Sequence, residues 1–105
     1  SEADSIPVLV FDEIDANIDG ATASVVGEEL AKLAKKHQLI CISHLAQVAS
    51  EAERHFVVEK SVRSGKTFTD IRQLDTKGRV AEIARMLGGT GAALRHATEM
   101  MKKAR

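Results

Sequence analysis

The chain has 105 residues, which fits one small domain or a piece of a larger one, and its 15 basic and 15 acidic residues cancel. With this balance, any DNA-binding patch must be local or lie outside the chain. Aromatic residues make up only 3%, so the core is aliphatic, and the single cysteine, Cys41, excludes an internal disulfide and fits a reducing cytoplasm. Because the chain begins at Ser1 without a methionine, we expect it to be an excised or processed piece of a protein.

The first predicted element is a buried strand that ends in two acids. Residues 7–11 form a continuous apolar run, typical of a central parallel strand, and Asp12 and Glu13 follow directly. In nucleotide-hydrolysing proteins, acids at this Walker B position hold Mg²⁺ through water and polarise the attacking water. Such a run followed by Asp-Glu is also common by chance, and the alternative is a strand end with solvated acids.

A helix and a second strand follow. Asp19 is a predicted N-cap for a helix over residues 21–36, and residues 39–43 predict a second buried strand that holds Cys41 as a small core residue. Strand, helix and strand with short connections form a βαβ unit, so the two strands are predicted to be parallel. A short helix over residues 45–53 comes next.

The rest of the chain predicts a hairpin and two helices. Strands over residues 55–62 and 66–74 flank a turn with Gly65. A helix over residues 79–87 is predicted to end at Gly88-Gly89, and a last helix covers residues 92–103. Three side chains are predicted to face inward from this last helix: Leu94, Ala97 and Met101.

His44 directly follows the second predicted strand. The carboxyl ends of neighbouring parallel strands open onto one crevice, so Asp12, Glu13 and His44 are predicted to face one site. A neutral imidazole there can hydrogen-bond a γ-phosphate oxygen or orient water. The alternative is that His44 caps the next helix or is a surface histidine; its pairing with two acids across one βαβ unit favours the site.

Three motif-like stretches lack the rest of their motif. Residues 15–20 match half of an EF-hand loop, but its twelfth position is Val26 instead of Glu. Residues 65–67 match the end of a P-loop but lie in a hairpin turn, so the chain carries no Walker A motif. Residues 88–91 follow a helix, whereas a dinucleotide-binding fingerprint follows a strand.

Residues 8–13, VLVFDE, resemble the Walker B strand of the ABC-type ATPases. In that family the catalytic Glu follows the Asp, as Glu13 does, a short D-loop ends in an Asp, here Asp19, and the next strand ends in a switch histidine, here His44. The strings FDEID (residues 11–15) and CISHLAQVA (41–49) are similar to the RecN family, bacterial DNA-repair relatives of the SMC proteins. RMLGG (85–89) also fits its C-terminal end.

The resemblance covers nearly the whole chain, with two departures. RecN-like chains often have Pro where Ala46 stands, and Ser then Gly where Asp19-Gly20 stands. It implies an α/β fold: the C-terminal half of a P-loop (ABC/SMC-type) ATPase head, with a parallel βαβ core, a β-hairpin and two C-terminal helices. Residues 1–105 would form a partial head domain, without the Walker A motif, the signature motif and the coiled coil.

The resemblance also implies ATP and Mg²⁺ as cofactors. Asp12 would lie in the Mg²⁺ shell through water, Glu13 would be the general base or water positioner, His44 would contact the γ-phosphate, and Asp19 would communicate across a dimer of heads. The implied partners are a second head, in a homodimer, and DNA, which the full-length protein would bind; no membrane is implied. The implied process is double-strand-break repair in the bacterial cytoplasm, at the nucleoid. We expect the chain alone to be inactive and to self-associate through open strand edges.

Two other functions remain as alternatives. One is a stand-alone, toprim-like module that binds a metal or a partner through four acids: Asp12, Glu13, Asp15 and Asp19. Toprim-like chemistry needs carboxylates from separate strands, whereas the second strand here offers His44. The other is the ATPase domain of an ABC transporter, which the RecN-like strings disfavour.

Overall fold

The computed structural model describes residues 8–12, as backbone, and residues 19–104. Its strands are β1 (Val8–Asp12), β2 (Gln38–Ile42), β3 (Phe56–Arg63) and β4 (Lys66–Gln73). Its helices are α1 (Gly20–Leu33), α2 (Ala46–Ala49), α3 (Thr76–Met86) and α4 (Gly91–Lys103). Pro7, where the first strand was predicted to begin, and the candidate site residues Glu13 and Asp15 lie outside the described residues.

The predicted βαβ unit is confirmed. β1 and β2 pair in parallel, with Val8 opposite Gln38 and Asp12 opposite Ile42, and α1 connects them. Asp19 caps α1: its Oδ1 accepts the Thr22 N–H at 2.7 Å. The helix ends three residues earlier than predicted, because residues 34–36 continue as a turn with shorter-range hydrogen bonds.

The prediction that β2 is buried is wrong within this chain. Ile40 and Ile42 are 48% and 54% exposed, and Leu39 and Cys41, which alternate with them along the strand, are half-buried. A central parallel strand is buried by strands on both sides and by helices on both faces. Among the residues that the structure describes, β1 and β2 form a sheet of two strands, so this cover is incomplete.

The predicted hairpin is confirmed. β3 and β4 pair antiparallel, with Phe56 opposite Gln73 and Arg63 opposite Lys66. The two-residue turn between them has φ of 51° at Ser64 and 76° at Gly65. Positive φ at both central positions is the type I′ geometry, which suits the twist of a hairpin.

The core lies between α3, α4 and the short helix α2. Its six buried side chains are Ala46, Ile83, Ala84, Ala93, Ala97 and Met101. Asp75 caps α3 by accepting the Gly78 N–H at 2.7 Å. The helix ends at Met86, and Gly88 and Gly89 follow it, as predicted, with φ of 112° and 77°.

Leu94 was predicted to face this core, and that prediction is wrong. The buried side of α4 runs through Ala93, Ala97 and Met101, spaced four residues apart. Leu94 lies one residue further round the helix and is 50% exposed. In residues 8–12 and 19–104, no helix is both long and apolar enough to cross a membrane.

Candidate functional site

The carboxyl ends of β1 and β2 lie side by side. Asp12, the last residue of β1, is opposite Ile42, the last residue of β2, and His44 follows Ile42 by two residues. The register therefore brings the backbone of Asp12 to the strand end that His44 follows. The side chain of Asp12 and all of Glu13 lie outside the described part, so the acid pair of the site stays a prediction.

His44 lies in a bend between β2 and α2, and its side chain is exposed. Ser43 shapes this bend, because its Oγ accepts the Leu45 N–H at 3.0 Å. The N-cap of α2 is Leu45, which makes no side-chain capping bond. His44 thus lies one residue before the N-cap of the helix that follows it.

Asp19 has a structural role in the described region. Its carboxylate accepts hydrogen bonds at the start of α1, and these bonds, chiefly from the Thr22 backbone, lower the pKa of Asp19 below its ordinary value. The side chain is exposed and stays ionised at neutral pH. A role across a dimer interface remains a prediction.

The bend that carries His44 leads into α2, which is held from two sides. Ala46 and Val48 are buried. On the α1 side, Gly27 packs so closely on α2 that a Cβ there would lie 2.5 Å from the Gln47 carbonyl oxygen. The position of the bend that carries His44 therefore depends on contacts that α2 makes with other helices.

On the α3 side, the contact is made by Arg79. Its Nη2 donates hydrogen bonds to the carbonyl oxygens of Ala49, at 3.0 Å, and Ala52, at 2.6 Å. Sequence reasoning missed this residue, and used it only as the start of a helix. One signal was present: a cation in the first turn of a helix opposes the helix dipole, so it indicates a partner elsewhere.

Two further titratable groups lie close to these elements. Burial raises the pKa of the Cys41 thiol, which makes the reactive thiolate less available at neutral pH. Burial also lowers the pKa of His55, with a smaller contribution from the nearby Arg79. Within the part of the chain that the structure describes, no group of three or more His, Cys, Asp or Glu side chains could hold a metal.

Relatives of known sequence identify the chain. No protein-family model matches it. It is 47% identical over 97 residues to the DNA repair protein RecN of Deinococcus radiodurans, 44% over 98 residues to RecN of Vibrio cholerae, and 36% over 107 residues to RecN of Bacillus subtilis. These matches cover 90%, 90% and 99% of this chain, but only 17%, 18% and 19% of the relatives.

The fold matches a solved structure as well. A structure from work on ATP-driven dimerization and DNA-stimulated activation of SMC ATPases superposes with a TM-score of 0.62 at 21% identity, over 86% of this chain and 53% of that one. This confirms the predicted fold, an ATPase-head α/β segment with a hairpin and terminal helices. The chain is thus a segment of the RecN type of DNA repair protein, spanning less than a fifth of the length of the RecN proteins it matches.

Proposed function

We propose that this segment supplies the Walker B acids Asp12 and Glu13 and the switch histidine His44 to an ATP site of a full-length, SMC-like DNA repair protein. The observation that supports this most is the register of the parallel strands. Asp12 lies opposite Ile42, and His44 follows Ile42 by two residues. The acids and the histidine thus belong to adjacent strand ends on one edge of the sheet, where open α/β folds bind ligands.

The residue types suit Mg²⁺ and ATP. Carboxylate oxygens are hard ligands of the kind Mg²⁺ prefers, and Mg²⁺ usually keeps several waters, so Asp12 would hold it through water. Bound Mg²⁺ would neutralise charge on the phosphates. Glu13 would orient the attacking water or accept its proton, and a neutral His44 would donate a hydrogen bond to a γ-phosphate oxygen.

The complete site would need the Walker A motif of the same head and the signature motif of a second head. The sequence carries no Walker A motif, so the phosphate-cradling loop must come from elsewhere in the protein. We propose a homodimer of heads that share two ATP sites, with Asp19 near the dimer contact, and DNA bound through the full-length protein. Its work would be double-strand-break repair and recombination in the bacterial cytoplasm, at the nucleoid.

The test is Glu13→Gln in the full-length protein. A general base contributes roughly 10²–10⁴-fold to a rate, so we expect ATP hydrolysis to fall at least about a hundredfold. ATP binding should persist, because the amide keeps the shape of the side chain, and ATP should hold the heads together as a stable dimer. The measurements are the steady-state hydrolysis rate, equilibrium ATP binding and dimer mass in ATP.

Glu28→Gln is the matched control, because Glu28 is an exposed acid on α1. It should leave all three quantities unchanged. If Glu13→Gln hydrolyses ATP at the wild-type rate, Glu13 has no catalytic role and the proposed site is wrong.

A further inference from the structure

Arg79 holds the C-terminal end of α2 on α3. Its half-buried guanidinium donates to two carbonyl oxygens, one at the last residue of α2 and one three residues beyond it. The C-terminal carbonyls of a helix lack partners within the helix and carry partial negative charge. A guanidinium supplies both the donors and the opposite charge, and such charge-assisted bonds are stronger than neutral ones.

α2 depends on contacts of this kind. It has four residues, and a single helical turn is not stable alone in water, because nucleation costs more than one turn of hydrogen bonds returns. Its other contacts include the close approach of Gly27 in α1 and the packing of two buried side chains, Ala46 and Val48. The two hydrogen bonds from Arg79 fix the C-terminal end of α2 to α3 at defined atoms, which apolar packing does not do.

The direction of α2 matters for His44. The helix starts at Ala46, and only Leu45 separates it from the histidine. The Ser43 hydroxyl, which accepts the Leu45 N–H, makes this connection a closed turn instead of a loose linker. A tilt of α2 is therefore transmitted to the His44 backbone.

We propose that Arg79 is a positioning residue for His44: by tying the last turn of α2 to α3, it sets the place from which the imidazole reaches the nucleotide. The inference rests on the proposed function of His44. It also gives the helix pair α3 and α4, which carries most of the core, a direct mechanical connection to the ATP site.

The test is a double-mutant cycle in the full-length protein, with steady-state ATP hydrolysis as the readout. Arg79→Gln should lower kcat by about tenfold with little change in KM, because a displaced His44 loses its hydrogen bond to the γ-phosphate, and the loss of one charged hydrogen bond corresponds to roughly this factor. Arg79→Lys should retain more of the rate, because an ammonium can reach one carbonyl. Arg85→Gln is the control: Arg85 is exposed on the same helix, where it pairs with Glu82, and its loss should leave kcat unchanged.

The cycle separates positioning from a loss of folded protein. In a His44→Ala background, Arg79→Gln should cause no further fall, because the residue on which it acts is gone. A fall by the same factor in both backgrounds would mean that Arg79 only supports folding, and a wild-type kcat in Arg79→Gln would mean that it has no role; either overturns the inference. If Arg79→Gln does not fold, the same cycle is run with Arg79→Lys and judged by the same criterion.

The two proposals fail in different ways. A wild-type rate in His44→Ala alone would overturn the proposed function, and this inference with it. A slow His44→Ala combined with an unaffected or additive Arg79 variant would overturn the positioning role and leave the ATP site standing.

Discussion

At the scale of single residues, we expect His55, which lies near Arg79, to make the stability of the fold depend on pH. It is half-buried, and burial, followed by repulsion from Arg79, lowers its pKa below the ordinary value of 6.5, with nearby Glu82 acting in the opposite direction. The folded state therefore disfavours the protonated imidazole. Above pH 6.5 both states are mostly neutral, and as the pH falls below 6.5 the unfolded chain takes up more protons than the folded one. The folded state therefore loses stability as the pH falls below 6.5.

We accordingly predict that the protection of α3 amides from hydrogen exchange, corrected for the intrinsic pH effect, decreases as the pH drops below 6.5. His55→Gln, which cannot be protonated, should remove this decrease, whereas His96→Gln, at an exposed position on α4, should keep it. An identical pH dependence in His55→Gln and the wild type would contradict the assignment.

The same scale shows what local sequence can and cannot reveal. The place of His44 was predictable, because an apolar run, a helix and a second run are local patterns and a parallel crossover follows from them. The N-cap role of Asp19 was predictable for the same reason. The partners of Arg79 are carbonyl oxygens 30 and 27 residues away, and no periodicity in the chain indicates them.

At the scale of elements, the contact between α1 and α2 sets how close the bend that carries His44 lies to α1. At Gly27, a Cβ would lie 2.5 Å from the carbonyl oxygen and 3.2 Å from the carbonyl carbon of Gln47. Both are backbone atoms, so they cannot move aside as the end of a side chain could. The two helices can approach this closely only with glycine at position 27.

Gly27→Ala should therefore push α2 away from α1 and destabilise the protein by about 1–3 kcal/mol, as overpacking does. Gly20→Ala is the matched control: there a Cβ meets the flexible end of Gln47 at 3.6 Å, an ordinary contact. The measurement is the thermal unfolding midpoint of the full-length protein for both variants. Equal midpoints would show that α1 and α2 are not in the close contact described.

The predictions of elements were correct where a local pattern determines the structure. They were wrong where burial depends on packing against other elements. The hairpin followed from two strand-like runs around Ser64-Gly65, whose conformation requires positive φ. The prediction that Leu94 faces the core was wrong because Ala93 and Leu94 are both apolar, and the closeness of α3 and α4 favours the smaller side chain. The exposure of Ile40 was unpredictable from the run itself, since burial depends on neighbours that the run does not specify.

At the scale of the whole molecule, the described surface carries exposed apolar side chains on both sheets. Val58 and Ile71 lie directly opposite one another in the hairpin and are 62% and 70% exposed, and Ile42 at the end of β2 is also exposed. Exposed apolar faces of this kind mark contact surfaces. They fit the expectation that the isolated chain self-associates, and they fit a segment that spans less than a fifth of its relatives.

The central claim is that two adjacent strand ends form part of one ATP site, and His44 tests it most directly. A metal- or partner-binding module built on the acids Asp12, Glu13, Asp15 and Asp19 would need no histidine, whereas the proposed γ-phosphate site uses His44. The measurement is the rate of ATP hydrolysis by full-length His44→Ala beside the wild type, with bound ATP quantified in the same samples. Loss of a hydrogen bond to a charged group predicts a rate about ten- to a hundredfold lower with ATP still bound. A wild-type rate would contradict the account.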